Sequence, residues 1–373
     1  MSLDRRAFLK LSSAGVVGVQ FVSLLSGCEE FTVTPLGNAQ ALFVTPQEEF
    51  FVQNGGEGSI SGWQRPTITE EDWRLRITQR VGPSTTELLT MAFDDLMALR
   101  DREITILKTI QCVIESPLKT TPTGFMGNAY WTGIPLSAVL EGVTLPSSTK
   151  RILFYGADGF YNNIRMERLA NAASDGLIEP LLAYRINGQP LSADHGRPVR
   201  LIIEEGYGYK NVKWLTEIQA FPLDVATLGT YQQQGFVDDG IIRINSRSVN
   251  IRDQISLPAG PIVINGYAVS GLAAIKQIEV RIDGGSFEPA EIVPLNEIRE
   301  DESLPATIRQ IAESLPYPWR AVWARWRFTW EASAGAHTIA VRATDTAGNV
   351  QPLNDTNVFD GMTEIPVYSV TIV

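Results

Sequence analysis

The sequence predicts an α+β chain, with a mixed domain over residues 41–224, a connecting segment over 225–260 and an all-β sandwich over 261–373. Three observations lead there. As far as Asp224, apolar and period-2 runs alternate with brief stretches of helical spacing. After Asp224 the polar run Gln232-Gln233-Gln234 and a turn at Gly240 give way to short strands between turn signals. At 373 residues, the chain also exceeds one typical domain.

In order, residues 45–60 (T-P-Q-E-E-F-F-V-Q-N-G-G-E-G-S-I) read as an aromatic, strand-like piece. It ends in a glycine-rich loop at Gly55, Gly56 and Gly58, either a flexible turn or a close backbone approach to a ligand. Residues 73–78, W-R-L-R-I-T, alternate as a half-exposed strand does. Leu89, Phe93, Leu96 and Met97 recur at helical spacing and predict a helix over 89–99, with another over 136–140. Strands are expected at 104–107, 151–155, 181–186, 199–203 and 214–221, with turns at Asn187-Gly188 and 206–208. Further on, strands are expected at 262–269, 274–282, 323–330 and 337–345, with a hairpin turn at Asp283-Gly284-Gly285. Such spacing over roughly 100 residues is the pattern of an immunoglobulin-like sandwich. The acidic loop over 296–318 is expected to carry a short helix over 307–314.

Apolar residues make up 44% and charged residues 20% of a chain with net charge −11, a globular composition that argues against nucleic acid as a partner. The N-terminus has a targeting pattern: Arg5-Arg6, a weakly apolar run over 11–25, then Leu25-Ser26-Gly27-Cys28. This resembles a twin-arginine export signal over 1–27 ending in a lipoprotein cleavage box. Cys28 would then carry the lipid, and 28–40 would tether the protein at the periplasmic or extracytoplasmic face. Without Cys28, Cys112 is the one thiol left, with no partner for an internal disulfide.

Cys112 follows the apolar run 104–107, where Pro117, Pro122 and Gly124 break the strand pattern, so the thiol is placed where a strand gives way to a loop. An inert core thiol is one reading and a ligand is the other. With only His195 and His337, a histidine-rich metal site cannot be assembled, and no C-x-x-C, haem-attachment, dinucleotide or phosphate-loop motif occurs. A Cys112–His195 dyad stays open.

Several motifs then fall in one order: Q-C at 111–112, G-x-x-G-N-A-x-W-x-G-x-x-L at 124–136 and A-D-G at 157–159. L-L-A-Y-x-x-N-G-x-P-L-x-x-D-H-G-x-P-V-R at 181–200 and K-N-V-K-W-L at 210–215 follow. Together they resemble the molybdopterin domain of the sulfite oxidase family. I-E-V-R-I-D-G-G at 278–285, W-A-R-W at 323–326 and R-A-T-D-T-A-G-N-V-Q-P at 342–352 are similar to that family's immunoglobulin-like dimerisation domain. The resemblance implies molybdopterin with molybdenum ligated by Cys112, and pterin contacts from Asn54, Asp158, His195, Arg200, Asn211, Val212 and Lys213. A homodimer is also implied, as is two-electron oxygen-atom transfer with a small-molecule substrate. Electrons would pass to a separate carrier such as a cytochrome, since this chain has no haem motif. Oxidation is the implied direction and reduction the alternative.

The family's R-N-H is Gln53-Asn54-Gly55 here, its A-G-N-R-R after the cysteine is V-I-E-S-P with Glu115, and its N-A-R-W contains Tyr130. The pocket tyrosine aligns with Phe160, with Tyr161 next to it, and Arg165 or Lys119 could restore a cation. The candidate catalytic set is therefore Cys112, Tyr130, Tyr161 and Arg165. Most arginines of a sulfite pocket are absent, which leaves the substrate open. A non-catalytic surface lipoprotein that keeps the fold and has lost the cofactor is the alternative.

Overall fold

The computed structural model describes residues 42–57, 60–113, 125–301, 304–305, 317–357 and 359–373. The expectations for the signal, the tether, Gly58, Glu115, Lys119 and a 307–314 helix lie outside the described residues.

Arg74–Val81 (β1) pairs antiparallel with Ser84–Ala92 (β2) and parallel with Leu215–Phe221 (β10). From β10 the sheet continues antiparallel through Arg151–Gly156 (β5) to Tyr161–Arg165 (β6). A second, antiparallel sheet runs through Ile104–Gln111 (β3), Met126–Pro135 (β4), Leu181–Ile186 (β7) and Gln189–Pro190 (β8), with Arg200–Ile202 (β9) also on β7. Both faces of β3 and β4 are covered, so their sequences are buried almost throughout rather than alternating.

The C-terminal part is all β. Its strands are Asn245–Ser248 (β11), Ile255–Leu257 (β12), Gly260–Val269 (β13), Ile275–Ile282 (β14), Glu288–Ile292 (β15), Ala324–Ala332 (β16), Gly335–Asp345 (β17) and Val367–Ile372 (β18). They form one hydrogen-bonded path, β11-β13-β16-β15-β14-β17-β18-β12. The path curls over a core of Ile264, Ile278, Trp326, Ile339 and Val341, and brings Ser246 of β11 back to donate to the Val341 carbonyl of β17 (3.4 Å).

Three expectations change. Residues 45–60 form no strand: a 3-10 turn at Gln47–Glu49 leads into Phe50 and Phe51, which bury their rings against Trp131 and Phe125 (centroids 5.7 and 6.0 Å) instead of joining a ladder. The helix expected over 89–99 is shortened to Phe93–Met97, because Leu89 and Met91 pair opposite Ile77 and Leu75 of β1. Asp95 fixes the changeover by accepting the Ala92 N–H (2.7 Å). The segment read as connecting supplies β11 and β12, and helix Leu295–Asp301 lies in the acidic stretch.

What ties the second sheet to the C-terminal part is the segment leading into β16. Thr109 of β3 donates its N–H to Ala321 O (2.8 Å), and its hydroxyl accepts the Trp323 N–H (2.8 Å). Trp323, fully buried, stacks on Tyr267 at 3.6 Å and donates its indole N–H to Phe43 O (2.8 Å). Below β3, buried Lys108 donates to Glu204 O (2.6 Å) and Gly206 O (2.8 Å), holding the loop after β9. Arg168 grips Glu205 bidentately (2.6 and 2.8 Å) and Arg320 reaches Glu204 (3.2 Å), so the same loop is tied to β6's following helix and to the C-terminal part.

Trp323→Ala is expected to cost about 3–5 kcal/mol in denaturant unfolding, from lost ring burial and the cavity left behind. Trp323→Phe keeps the stack and loses the N–H bond, for about 1 kcal/mol. Burial pushes the Lys108 ammonium down to about 7, against the pull of Glu205 and Glu204. From about pH 7 to its ordinary 10.5, the unfolded chain keeps a proton that the folded chain has released, so stability rises with pH in that window. Unfolding of Lys108→Met at pH 7, 8 and 9 should show that slope reduced by up to about 1.4 kcal/mol per pH unit relative to wild type. Equal slopes would contradict the assignment.

Candidate functional site

At the end of β3 the chain leaves the sheet, and Cys112, 5% exposed and outside any disulfide, donates its N–H to Phe125 O (2.9 Å). This thiol lines a cleft whose space, part of it open to solvent, is about 640 Å³. Asn54, Asp158, Arg200, Asn211, Val212 and Lys213 line the same cleft.

Arg200 opens β9 and is 3% exposed. Its two terminal nitrogens donate to His195 O (3.2 Å) and Asn211 O (3.0 Å), and its plane lies 4.9 Å from the Trp131 ring. Its Nε is buried with no hydrogen-bond partner, and among the described residues no carboxylate pairs with it. Burial holds the guanidinium down at about 9, well below its usual range. An unpaired buried cation facing a cleft costs stability unless a ligand anion completes it.

Lys213 supplies a second cation. Its ammonium donates to Asn54 Oδ1 (2.9 Å) and Asp194 O (2.6 Å), and burial, aided by Arg200, lowers it to about 7. The close fit needs Gly196, whose φ is +97° and whose α-carbon lies where an added Cβ would be 3.0 Å from Lys213 Cβ. Asp158 accepts the Trp63 indole N–H (3.1 Å) and the Phe160 N–H (3.1 Å), while burial raises its carboxyl.

His195 sits one layer behind. Its Nε2 donates to Gln47 O (3.0 Å), its own carbonyl orients Arg200, and burial, then Lys213 and Arg200, push the ring down to about 3, so it stays neutral. Asn211 spends its amide on the backbone, accepting from Ile203 N (2.8 Å) and donating to Gly206 O (3.2 Å) and Tyr207 O (2.7 Å). It thereby shapes the loop and faces the cleft without a free amide.

Three sequence candidates stand away from this cleft. Tyr130 is beside the Asn187-Gly188 turn, its N–H donating to Asn187 Oδ1 (3.2 Å). Tyr161 stacks on Tyr155 (5.2 Å) and bonds the Gln233 side chain (2.5 Å), because strand alternation sends it opposite to Phe160, which does line the cleft. Arg165, half exposed, faces Asp224 and Asp238 at 3.7 and 3.5 Å. Sequence reading missed the cleft aromatics Phe50, Phe51, Tyr209 and Tyr231. Tyr231 lies in the segment read as connecting, so only the long-range stack on Tyr209 (5.2 Å, 7°) reveals it.

Residues 62–225 match the family model for the oxidoreductase molybdopterin binding domain, and residues 241–373 that for the Mo-co oxidoreductase dimerisation domain. Mitochondrial sulfite oxidase of Drosophila melanogaster is 30% identical, over 85% of this chain and 57% of its own. That of Rattus norvegicus is 28% identical, over 67% and 49%. Inducible nitrate reductase [NADH] 2 of Glycine max is 27% identical, over 83% and 37%. The chain spans about half the length of the sulfite oxidases it matches. In structure, the sulfane dehydrogenase SoxCD from Paracoccus pantotrophus superposes with a TM-score of 0.68 over 91% of this chain and 84% of its own, at 21% identity, a likeness of fold. With both models matched in order along one chain, this protein belongs to the molybdopterin-binding oxidoreductases, as a molybdopterin binding domain joined to a Mo-co dimerisation domain homologous to those of the sulfite oxidases.

Proposed function

We propose that this protein is a molybdenum-dependent oxidoreductase that holds molybdopterin in the cleft between Cys112 and Arg200. The observation that carries the reading is the buried Arg200 guanidinium, with an orphaned Nε and no carboxylate among the described residues. Such a group fits the terminal phosphate of the cofactor, which would complete its hydrogen bonds in a charge-assisted way. Lys213 adds the second positive charge, and Asp158 and Asn54 offer hydrogen bonds to the ring system. His195 holds Arg200 by its carbonyl, while Asn211 and Val212 form the wall of the loop.

Cys112 supplies a soft thiolate donor to the metal. Among the described residues no group of three or more His, Cys, Asp or Glu side chains gathers, so the remaining ligands would come with the cofactor. When bound, that cofactor supplies a two-electron redox centre able to exchange an oxygen atom with substrate. Electrons would leave or arrive singly through a separate carrier such as a cytochrome. The sulfite oxidases among the relatives support a sulfur compound as substrate, and the nitrate reductase among them an oxyanion. The match to the dimerisation model supports a homodimer, and the N-terminal pattern supports twin-arginine export and a lipid on Cys28, with which the enzyme would sit on an extracytoplasmic face.

Protein made in a host competent for the cofactor is expected to contain about one molybdenum and one pterin per chain by metal analysis and pterin fluorescence. Folded protein with neither would refute the reading. Cys112→Ser should keep its unfolding transition and lose dye-coupled turnover by at least about 100-fold. Unchanged turnover would remove the thiol from the metal.

A further inference from the structure

Gly56 O accepts the Ile60 N–H (2.8 Å) and Ile60 O accepts the Trp63 N–H (3.2 Å), so the chain turns back after Asn54 and brings Trp63 to Asp158. Trp63, half-buried, donates its indole N–H to Asp158 Oδ2 (3.1 Å). Its ring lies 6.3 Å from that of Trp214, which lines the cleft. The other oxygen of Asp158, Oδ1, accepts the Phe160 N–H (3.1 Å). This carboxyl is therefore fixed at both ends, and each oxygen keeps further capacity to accept.

Gly56 makes the contact possible. An added Cβ there would stand 2.6 Å from both Cδ1 and Nε1 of Trp63 and 3.0 Å from Asp158 Oδ2. Its φ lies outside the left-handed region, so the position demands space and no special backbone. Of the two readings open for this glycine, a flexible turn or a close approach to a ligand, the structure shows neither alone: the backbone closes on an indole and the carboxyl it holds.

Trp63 does not itself line the cleft, whereas Asp158 does, so the indole reaches the site through the carboxyl. Burial raises the Asp158 carboxyl, and the Trp63 N–H is the largest influence opposing it, ahead of the Phe160 N–H and the charge of Lys213. An N–H aimed at a buried carboxyl favours the ionised form, which accepts hydrogen bonds at both oxygens.

We propose that Trp63 is a positioning residue for the cofactor, holding the Asp158 carboxylate in one orientation to accept from the N–H donors of the pterin's aminopyrimidine ring. This rests on the molybdopterin reading of the cleft and adds to it a residue that works through another.

The test is the rate at which loaded protein gives up its pterin, followed by fluorescence of the released and oxidised ring, with folding checked by circular dichroism and molybdenum measured on each preparation. Trp63→Phe keeps a ring and removes the N–H, and should release pterin about tenfold faster than wild type. Gly56→Ala should do the same by pushing the indole off Asp158 while leaving both side chains intact. Asp158→Ala should speed release at least as much, and adding Trp63→Phe to it should change the rate by less than about twofold. A merely structural role for Trp63 would add its full effect in the Asp158→Ala background, and that result overturns the proposal. Release at the wild-type rate from both Trp63→Phe and Gly56→Ala overturns it too, and decides the matter without Asp158→Ala if that variant does not fold. Either result leaves the cofactor reading standing. Folded wild-type protein with neither molybdenum nor pterin overturns both.

Discussion

A guanidinium sealed from water, with no carboxylate beside it among the described residues, is the constraint around which this structure is arranged. Removing such a charge from solvent costs several kcal/mol even after relaxation. The chain offsets part of that cost with the His195 and Asn211 carbonyls and the face of Trp131. What is left over is a buried, unbonded Nε on a residue that lines the cleft. Lys213 stands with it, its own ammonium pushed down to about 7 by burial and by Arg200. Two buried basic groups shifted this far and lining one cleft are the kind of pair found at functional sites.

The architecture serves to keep those groups still. β3 brings Cys112 to the cleft, and its middle is bolted to the C-terminal part through Thr109, Ala321 and Trp323. β9 brings Arg200, and the loop after it is held from three sides by Lys108, Arg168 and Arg320. The Asn211 amide closes that loop on itself. A site spread over residues 54, 112, 158, 200 and 213 thus rests on two sheets and on the segment leading into a third, which links the C-terminal part to the geometry of the cleft.

Much of this was readable in the amino-acid order. The run into Cys112 ends as a strand where expected, and β5, β7 and β10 fall within a residue of their apolar runs, because covered strands carry a continuous signal. The chain's resemblance to a molybdopterin domain also brought Asn54, Asp158, Arg200 and Lys213 to one place. The reading failed where the deciding contact is distant. Leu89 and Met91 have helical spacing, but their partners on β1 make them strand. Tyr161 was chosen over Phe160 by chemistry, while the period of a strand assigns the two to opposite sides. Tyr209 and Tyr231 have no local signature, since only their stack places them at the cleft. The aromatic lining of the cleft became visible only in the packing of Gly55 against Phe160 and Tyr231.

The central claim is that Arg200 is completed by the anion of the cofactor, and the atomic distance that bears on it can be measured in a crystal structure of the molybdenum-loaded protein. The account predicts a phosphate oxygen about 3 Å from Arg200 Nε, in the plane of the guanidinium. An Nε bonded instead to protein or water, with the phosphate held elsewhere, would contradict it.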